Sequence, residues 1–408
     1  MSNAEGIQTV AQRDDGTWAP DVSGPGHTAS APEHAPPRPS EAEHPSPEAE
    51  HPPSGPHHRP SGTAPSGAVP PAAAPSEAAP SGSATEAPGA GRAGALRALR
   101  GLLRQDPGQG DFGRLRFRLG PARGHLEAAA LSFAAGFNAV VAGETERIDD
   151  LGEDVRGFAY EGAGMACATL DVLTLTGGHR IRALLSGRGV RYPHMIHSGV
   201  GCAYARMRLR PMWGVRAVHP LLRWLAFDGF GFHRGVFAAD RTVGRRRTPR
   251  LMDRTRWAIF DQGLGRALWF HECAGAEDLV LRLAEFPAGR RADLWSGVGM
   301  AAAYTGGATP DDLERLAGAA AESGFHAHLA QGAAFGCAAR LISGIVPGHT
   351  AAAAPVLCGA EADEAAGWTD TALIALGHNA YSGEHYQAWR AGVRKAWTRR
   401  CREVQAPA

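Results

Sequence analysis

Six side chains that can hydrogen-bond or carry charge stand in one local setting along this chain. Glu161, Ser198, Asp228, Gln262, Ser296 and Gln331 each come immediately before a glycine within a small-residue, apolar stretch. Placement repeated in this way would set the six in a line along one surface. His197, His233, Arg266, His271 and Tyr304 lie in the same stretches, and Trp269 and Trp295 are among the interleaved aromatics. Two arrangements fit. Along a groove, the polar groups would be rungs above an apolar floor, suited to a long, mostly apolar ligand with occasional polar groups, such as a polyene. The ligand-binding candidates are then His197, Gln262, Arg266, Trp269, His271, Trp295, Tyr304 and Gln331. Turned toward one another, the same groups would form a hydrogen-bond ladder that fixes how helices stack.

Catalysis would need a carboxylate removed from water. Burial raises a carboxyl pKa toward the range of a general acid or base. Glu161, Asp228 and Asp261 are the candidates, with His197 or His233 as a partner. The alternative role for each carboxylate is to accept hydrogen bonds from backbone or arginine. No cofactor is expected. The P-loop and the GxSxG elbow are absent, and the GxG pairs are unaccompanied by a strand. No metal is expected either. "HEC" at 271–273 lacks a second histidine at zinc-helix spacing, "HAH" at 326–328 and "GHNAYSGEH" at 377–385 are partial sets, and "DDLGED" at 149–154 reads as a solvated turn.

A basic run, "RTVGRRRTPRLMDRTR" at 241–256, centres on Arg245, Arg246 and Arg247. It carries little aromatic interleaving, which disfavours nucleic acid. An acidic protein partner, such as a carrier protein, fits it better through electrostatic steering. A solvated loop is the other reading.

The elements that must position these residues show in the repetition itself. "YEGAGMACATL", "HSGVGCAYARM", "FDGFGFHRGVF", "FDQGLGRALWF", "WSGVGMAAAYTGG" and "AQGAAFGCAAR" place their first glycines at 162, 199, 229, 263, 297 and 332. Weaker copies, "FAAGFNAVVAG" from 133 and "LGHNAYSGEHY" from 376, flank the series. A period near 34 residues is the mark of stacked helical hairpins. One unit is plain: "RADLWSGVGMAAAY" as a first helix, then "ATPDDLERLAGAAAE" as a second, with Thr309 as N-cap and Pro310 in the first turn. Each glycine costs a helix roughly 0.5–1 kcal/mol relative to alanine. Its recurrence therefore points to places where neighbouring backbones approach, or to space cleared for a ligand. The spacing around Trp295, Gly299 and Gly306 resembles tetratricopeptide repeats in architecture. The fold expected is an all-α right-handed solenoid of about 34-residue hairpins over 120–400.

Composition sets the rest. Residues 1–90 hold 18 of the chain's 29 prolines and 11 acidic against 3 basic residues, with almost no aliphatic side chains. Such a segment cannot bury enough apolar surface to fold, and a disordered acidic tail is expected. Residues 91–119 read as a basic amphipathic helix and linker, either capping the following domain or docking on a membrane surface or partner. No run of 18 apolar residues exists, so no membrane span is expected. The six cysteines show no CxxC pair and read as free thiols in a cytoplasmic protein.

The ordered set "RGFAYEGAGMA", "HSGVGCAYAR", "LAFDGFGFHRGVF", "FDQGLGRALWF", "GRRADLWSGVGMAAAYTGG", "HLAQGAAFGCAAR" and "VLCGAEADEAA" resembles UnbL-type proteins. These form a bacterial family of unknown function found with enediyne polyketide biosynthesis genes, and the resemblance covers about residues 110–395. It implies a role in specialised metabolism and carries no catalytic residues with it. The expected function is an accessory or ligand-binding protein that holds a long unsaturated intermediate or its carrier protein. An acid–base isomerase or cyclase of such an intermediate, and a pure protein-interaction scaffold, are the alternatives.

Overall fold

The computed structural model describes residues 98–211, 219–250 and 252–405, together with residue 94 and two short strands. The strands β1 (Val10–Gln12) and β2 (Trp18–Pro20) pair antiparallel. Most of the expected disordered tail lies outside the described residues. From residue 98 onward every regular element described is helical, so the body is all-α.

Eight long helices follow one another in space: α1 (Arg123–Ala142), α2 (Glu153–Leu173), α4 (Pro193–Arg206), α5 (Leu225–Phe237), α6 (Arg254–His271), α8 (Ala288–Tyr304), α10 (His326–Ser343) and α12 (Ala362–Ala375). Each packs on the next in this row. Shorter helices α3 (His179–Ser186), α7 (Ala276–Ala284), α9 (Pro310–Glu322) and α11 (Gly348–Cys358) connect some of them. The last helix, α13 (Gly383–Gln405), lies against α10 and α12. Full hairpins therefore occupy only part of the chain. Between α1 and α2 there is a single 3-10 turn, Thr145–Ile148, and between α5 and α6 a π turn, Asp240–Gly244, followed by an irregular stretch.

The recurrent glycines explain how the row packs. A Cβ on Gly162, Gly199, Gly229, Gly263, Gly297 or Gly332 would fall on the carbonyl oxygen of Phe133, Glu161, Ser198, Asp228, Gln262 or Ser296 respectively. Five of these six carbonyls belong to the polar residue that precedes the glycine in the helix before. The second glycine of the first five motifs faces forward, and that of the sixth, Gly336, faces back toward Met300. A Cβ on Gly164, Gly201, Gly231, Gly265 or Gly299 would strike the carbonyl oxygen of Ile196, Ala226, Phe260, Leu294 or Leu329 in the helix after. From α1 to α10 each long helix thus meets the next at positions without a side chain, and the backbones come close enough that any side chain there would be excluded. Of the flanking copies, Gly136 in α1 meets the carbonyl of Ala159 in the same way. The copy from 376 differs: it falls on the turn between α12 and α13, where Gly377 takes a positive φ of 73°.

Contacts also cross the row. The Tyr304 hydroxyl sits against Gly157, and the Phe158 and Tyr304 rings meet edge-on at 5.4 Å. Arg340 of α10 donates to the carbonyl of Asp154 at the start of α2 (2.9 Å). The C-terminal end of α8 is the junction of these contacts. Its carbonyls have no partners within the helix, and five side chains from four other helices supply them. Arg340 (3.0 Å) and His349 (3.1 Å) reach Tyr304, and Thr350 reaches Ala303 (2.8 Å). His125 contacts the Thr305 carbonyl (2.6 Å) and Trp269 that of Gly306 (2.9 Å). Thr309 caps α9 by accepting from the Asp312 amide, with Pro310 in the first turn, as the sequence leads one to expect.

The helix α1 is long and apolar enough to cross a membrane by length and composition, with a mean hydropathy of 1.3. In this structure it packs on α2 and buries Leu126, Phe137 and Val141.

Candidate functional site

The residues before the first glycines do converge, in pairs between neighbouring helices. Ser198 donates to Glu161 Oε1 (2.6 Å), Gln262 to Asp228 Oδ2 (2.9 Å) and Gln331 to Ser296 Oγ (3.0 Å). All six are buried, at most 3% exposed. Arg266, one helical turn after Gln262, ties two of the pairs together. It donates to Glu161 Oε1 (3.0 Å) and Ser198 Oγ (3.0 Å), and also to Asp228. Burial acts to lower the Arg266 pKa, but the charges of Glu161 and Asp228 outweigh it and hold the guanidinium protonated. Its face lies on the Phe232 ring at 4.8 Å. Gln331 is held further by Arg394 of α13 (3.1 Å).

The other sequence candidates spread around this ladder. Asp261 is buried and bound by both arms of Arg290. Burial raises its carboxyl to about 6 from an ordinary 3.8, against the pull of Arg290. The folded state therefore holds this proton more tightly than the unfolded chain does. The contribution to stability is complete below pH 3.8 and is lost as pH rises to about 6. Asp261→Asn is expected to remove a decline on the order of 2 kcal/mol across that interval. Chemical denaturation at about pH 4 and about pH 6 measures it, and an unchanged pH slope would refute the assignment. His197 donates through Nδ1 to the Pro193 carbonyl (2.7 Å), and burial lowers its pKa to about 4. His271 contacts the Gly235 carbonyl (3.0 Å), Trp269 serves the end of α8, and Trp295 is buried at 3% exposure. Arg245, Arg246 and Arg247 are exposed, and Arg246 pairs with Glu285 (3.0 Å).

Two cavities flank the ladder. The larger, about 1170 Å³, opens to solvent between α1, α2, α4, α5 and the segment 105–117. Its apolar wall is formed by Phe112, Phe133, Phe158, Met165, Phe230, Phe232 and Phe270, and Glu161, Cys202 and His233 contribute polar atoms. The smaller, about 30 Å³, touches the other side of the ladder at Ser198, Asp228 and Arg266, with Tyr304, Tyr386 and Trp389 around it. Of the sequence candidates, the structure brings Glu161 and His233 to the large cavity, and Asp228, Arg266 and Tyr304 to the small one. Asp261, Gln262, His197, Trp269, His271, Trp295 and Gln331 line neither. His233 is stripped of water, which lowers its pKa to about 3, with the charges of Arg206 and Arg234 pushing the same way. Among the described residues its Nδ1 has no hydrogen-bond partner.

Sequence reasoning missed the segment 105–117 as cavity wall, and Arg206 and Arg208 beside it. Gln105 is buried there, bonded to Asn138 through its backbone N–H and C=O, and Phe112 packs edge-on against Phe117 at 5.2 Å. Phe112, Leu115 and Phe117, large apolar residues in an otherwise polar and glycine-rich stretch, are the signal that could have found it. Among the described residues no group of three or more His, Cys, Asp or Glu is placed to hold a metal ion.

A family model described as "Protein of unknown function (DUF1702)" matches residues 95–397, which takes in all six glycine motifs, the ladder and the cavity. Neither a curated protein nor a solved structure matches the chain. With three-quarters of its length matched by that model, this chain belongs to the DUF1702 family of proteins of unknown function.

Proposed function

We propose that this protein binds a long, mostly apolar small molecule in the cavity between α1, α2, α4 and α5, as an accessory protein of polyketide-type specialised metabolism. The observation that carries this reading is the cavity itself. At about 1170 Å³ it is slightly larger than a typical small-molecule site, and eight phenylalanines line it. The resemblance of the ordered glycine motifs to UnbL-type proteins supports an enediyne polyketide setting, with an extended unsaturated intermediate as ligand and the cytoplasm as location. In this reading the row of glycine-packed helices is a curved, solenoid-like scaffold, tightened by the contacts across it. The exposed Arg245 and Arg247, beside the ion-paired Arg246, offer a docking point for an acidic carrier protein delivering that intermediate.

The test is a titration with parinaric acid, a conjugated tetraene whose fluorescence rises in apolar surroundings. Saturable binding is expected. Ala134→Phe, which places a ring in the cavity wall, should weaken binding by about tenfold or more, a loss of about 1.4 kcal/mol or more, while leaving the helical content intact. Absence of saturable binding by the wild type would discard the reading.

A second reading, acid–base isomerisation or cyclisation, draws on Glu161, which both borders the cavity and sits in the ladder. Asp228, Asp261 and His233 are its other candidates. Metabolite profiles from a producing host carrying Glu161→Gln, Asp228→Asn or Asp261→Asn separate catalysis from binding. Unchanged product with a folded protein removes that residue as an acid or base. A scaffold acting only on proteins would leave the cavity without a ligand in every host.

A further inference from the structure

The opening of the large cavity is positively charged. Arg206, Arg208, Arg234 and Arg241 all line it, and among the described residues none of the four forms an ion pair. Among the described residues Asp240 is the one carboxylate at the opening, and Glu161, deeper in, is already bound by Arg266 and Ser198. The arginines also feel one another. Partial burial lowers the Arg234 pKa, and the charges of Arg241 and Arg208 lower it further. Bringing like charges together beside an apolar chamber costs free energy unless an anion arrives to offset it. Phe237, more than half exposed, extends the apolar wall out to the same opening.

We infer that the cavity's ligand is an amphiphile whose apolar body lies among the phenylalanines and whose terminal oxyanion, carboxylate or phosphate, is held by Arg206, Arg208, Arg234 and Arg241. This inference rests on the cavity-binding reading above and adds the chemistry of the ligand's end. Guanidinium groups suit it, because each can donate two parallel hydrogen bonds to a carboxylate or phosphate.

The experiment displaces parinaric acid from the full-length protein with dodecanoate, dodecyl phosphate or dodecanol. Both anions should bind at least about tenfold more tightly than the alcohol, and the tighter of the two identifies the head group. Arg206→Gln combined with Arg234→Gln should weaken the preferred anion about tenfold while changing dodecanol less than about twofold. Added salt should weaken the anion and spare the alcohol. Dodecanol binding as tightly as either anion overturns the inference and leaves the cavity reading in place. Displacement by none of the three also overturns the inference, whereas absence of saturable parinaric acid binding in the first place discards the cavity reading. Anion binding that strengthens with salt would mean that the acidic residues 1–90 already occupy the arginines, and it also overturns the inference.

Discussion

Arg266→Ala is expected to melt about 10 °C below the parent protein. The substitution removes the one cation held between Glu161, Asp228 and Ser198, and leaves two carboxylates buried without compensation. Breaking a buried ion pair from one side costs about 3–5 kcal/mol, which corresponds to a shift of that size in a domain of this length. The control is the triple variant Arg266→Met with Glu161→Gln and Asp228→Asn. It removes all three charges together and should recover most of the loss, because the cost lies in the uncompensated charge rather than in the missing contact. A single variant melting within about 2 °C of the parent, equivalent to about 1 kcal/mol or less, would show the network to be of little consequence.

Gly263→Ala should be about as damaging, although alanine is the better helix former. A methyl group there would meet the carbonyl of Asp228, which is backbone and cannot swing aside, so α5 and α6 must separate. Overpacking of this kind costs about 3 kcal/mol, well above the gain of up to ~1 kcal/mol in helix propensity. Gly318, in the exposed outer helix α9, has nothing within 4 Å of where its methyl would stand. Gly318→Ala should therefore stabilise by about 0.5–1 kcal/mol. Opposite signs for the two substitutions in parallel thermal melts confirm that the motif glycines are points of close backbone approach. Equal signs would contradict it.

Much of this was legible in the sequence, for identifiable reasons. Helix interiors tolerate glycine poorly, so a glycine recurring near every 34 residues had to be compensated by packing, and the compensation is the close approach of backbones at each crossing from α1 to α10. The polar residue before each glycine could be seen to share a face with its counterparts. Which way that face turned could not be seen, because the answer depends on Arg266 reaching from α6 to α2, across 105 residues of chain. The Thr309–Pro310 helix start was readable because capping is local. The cavity was not readable. Its wall combines α1, α2, α4 and α5 with Gln105 and Phe112, and no periodicity connects those places. The copy from 376 misled because it too sets glycines among polar and aromatic residues, although Gly377 and Gly383 are spaced more widely than the motif pairs and Gly377 serves a turn.

The contacts that bridge the row bear on how the molecule comes apart. In a simple repeat array each module touches only its neighbours, so modules can be trimmed from an end and the remainder persists. Here the start of α2 is secured by α10, and the end of α8 by side chains drawn from α1, α6, α10 and α11. Such distant fastenings make loss of structure all-or-none, and they delay assembly until remote stretches of polypeptide have met. Shortened versions lacking α10 onward should accordingly collapse as a whole, giving a broad, molten species in place of a smaller, sharply melting one.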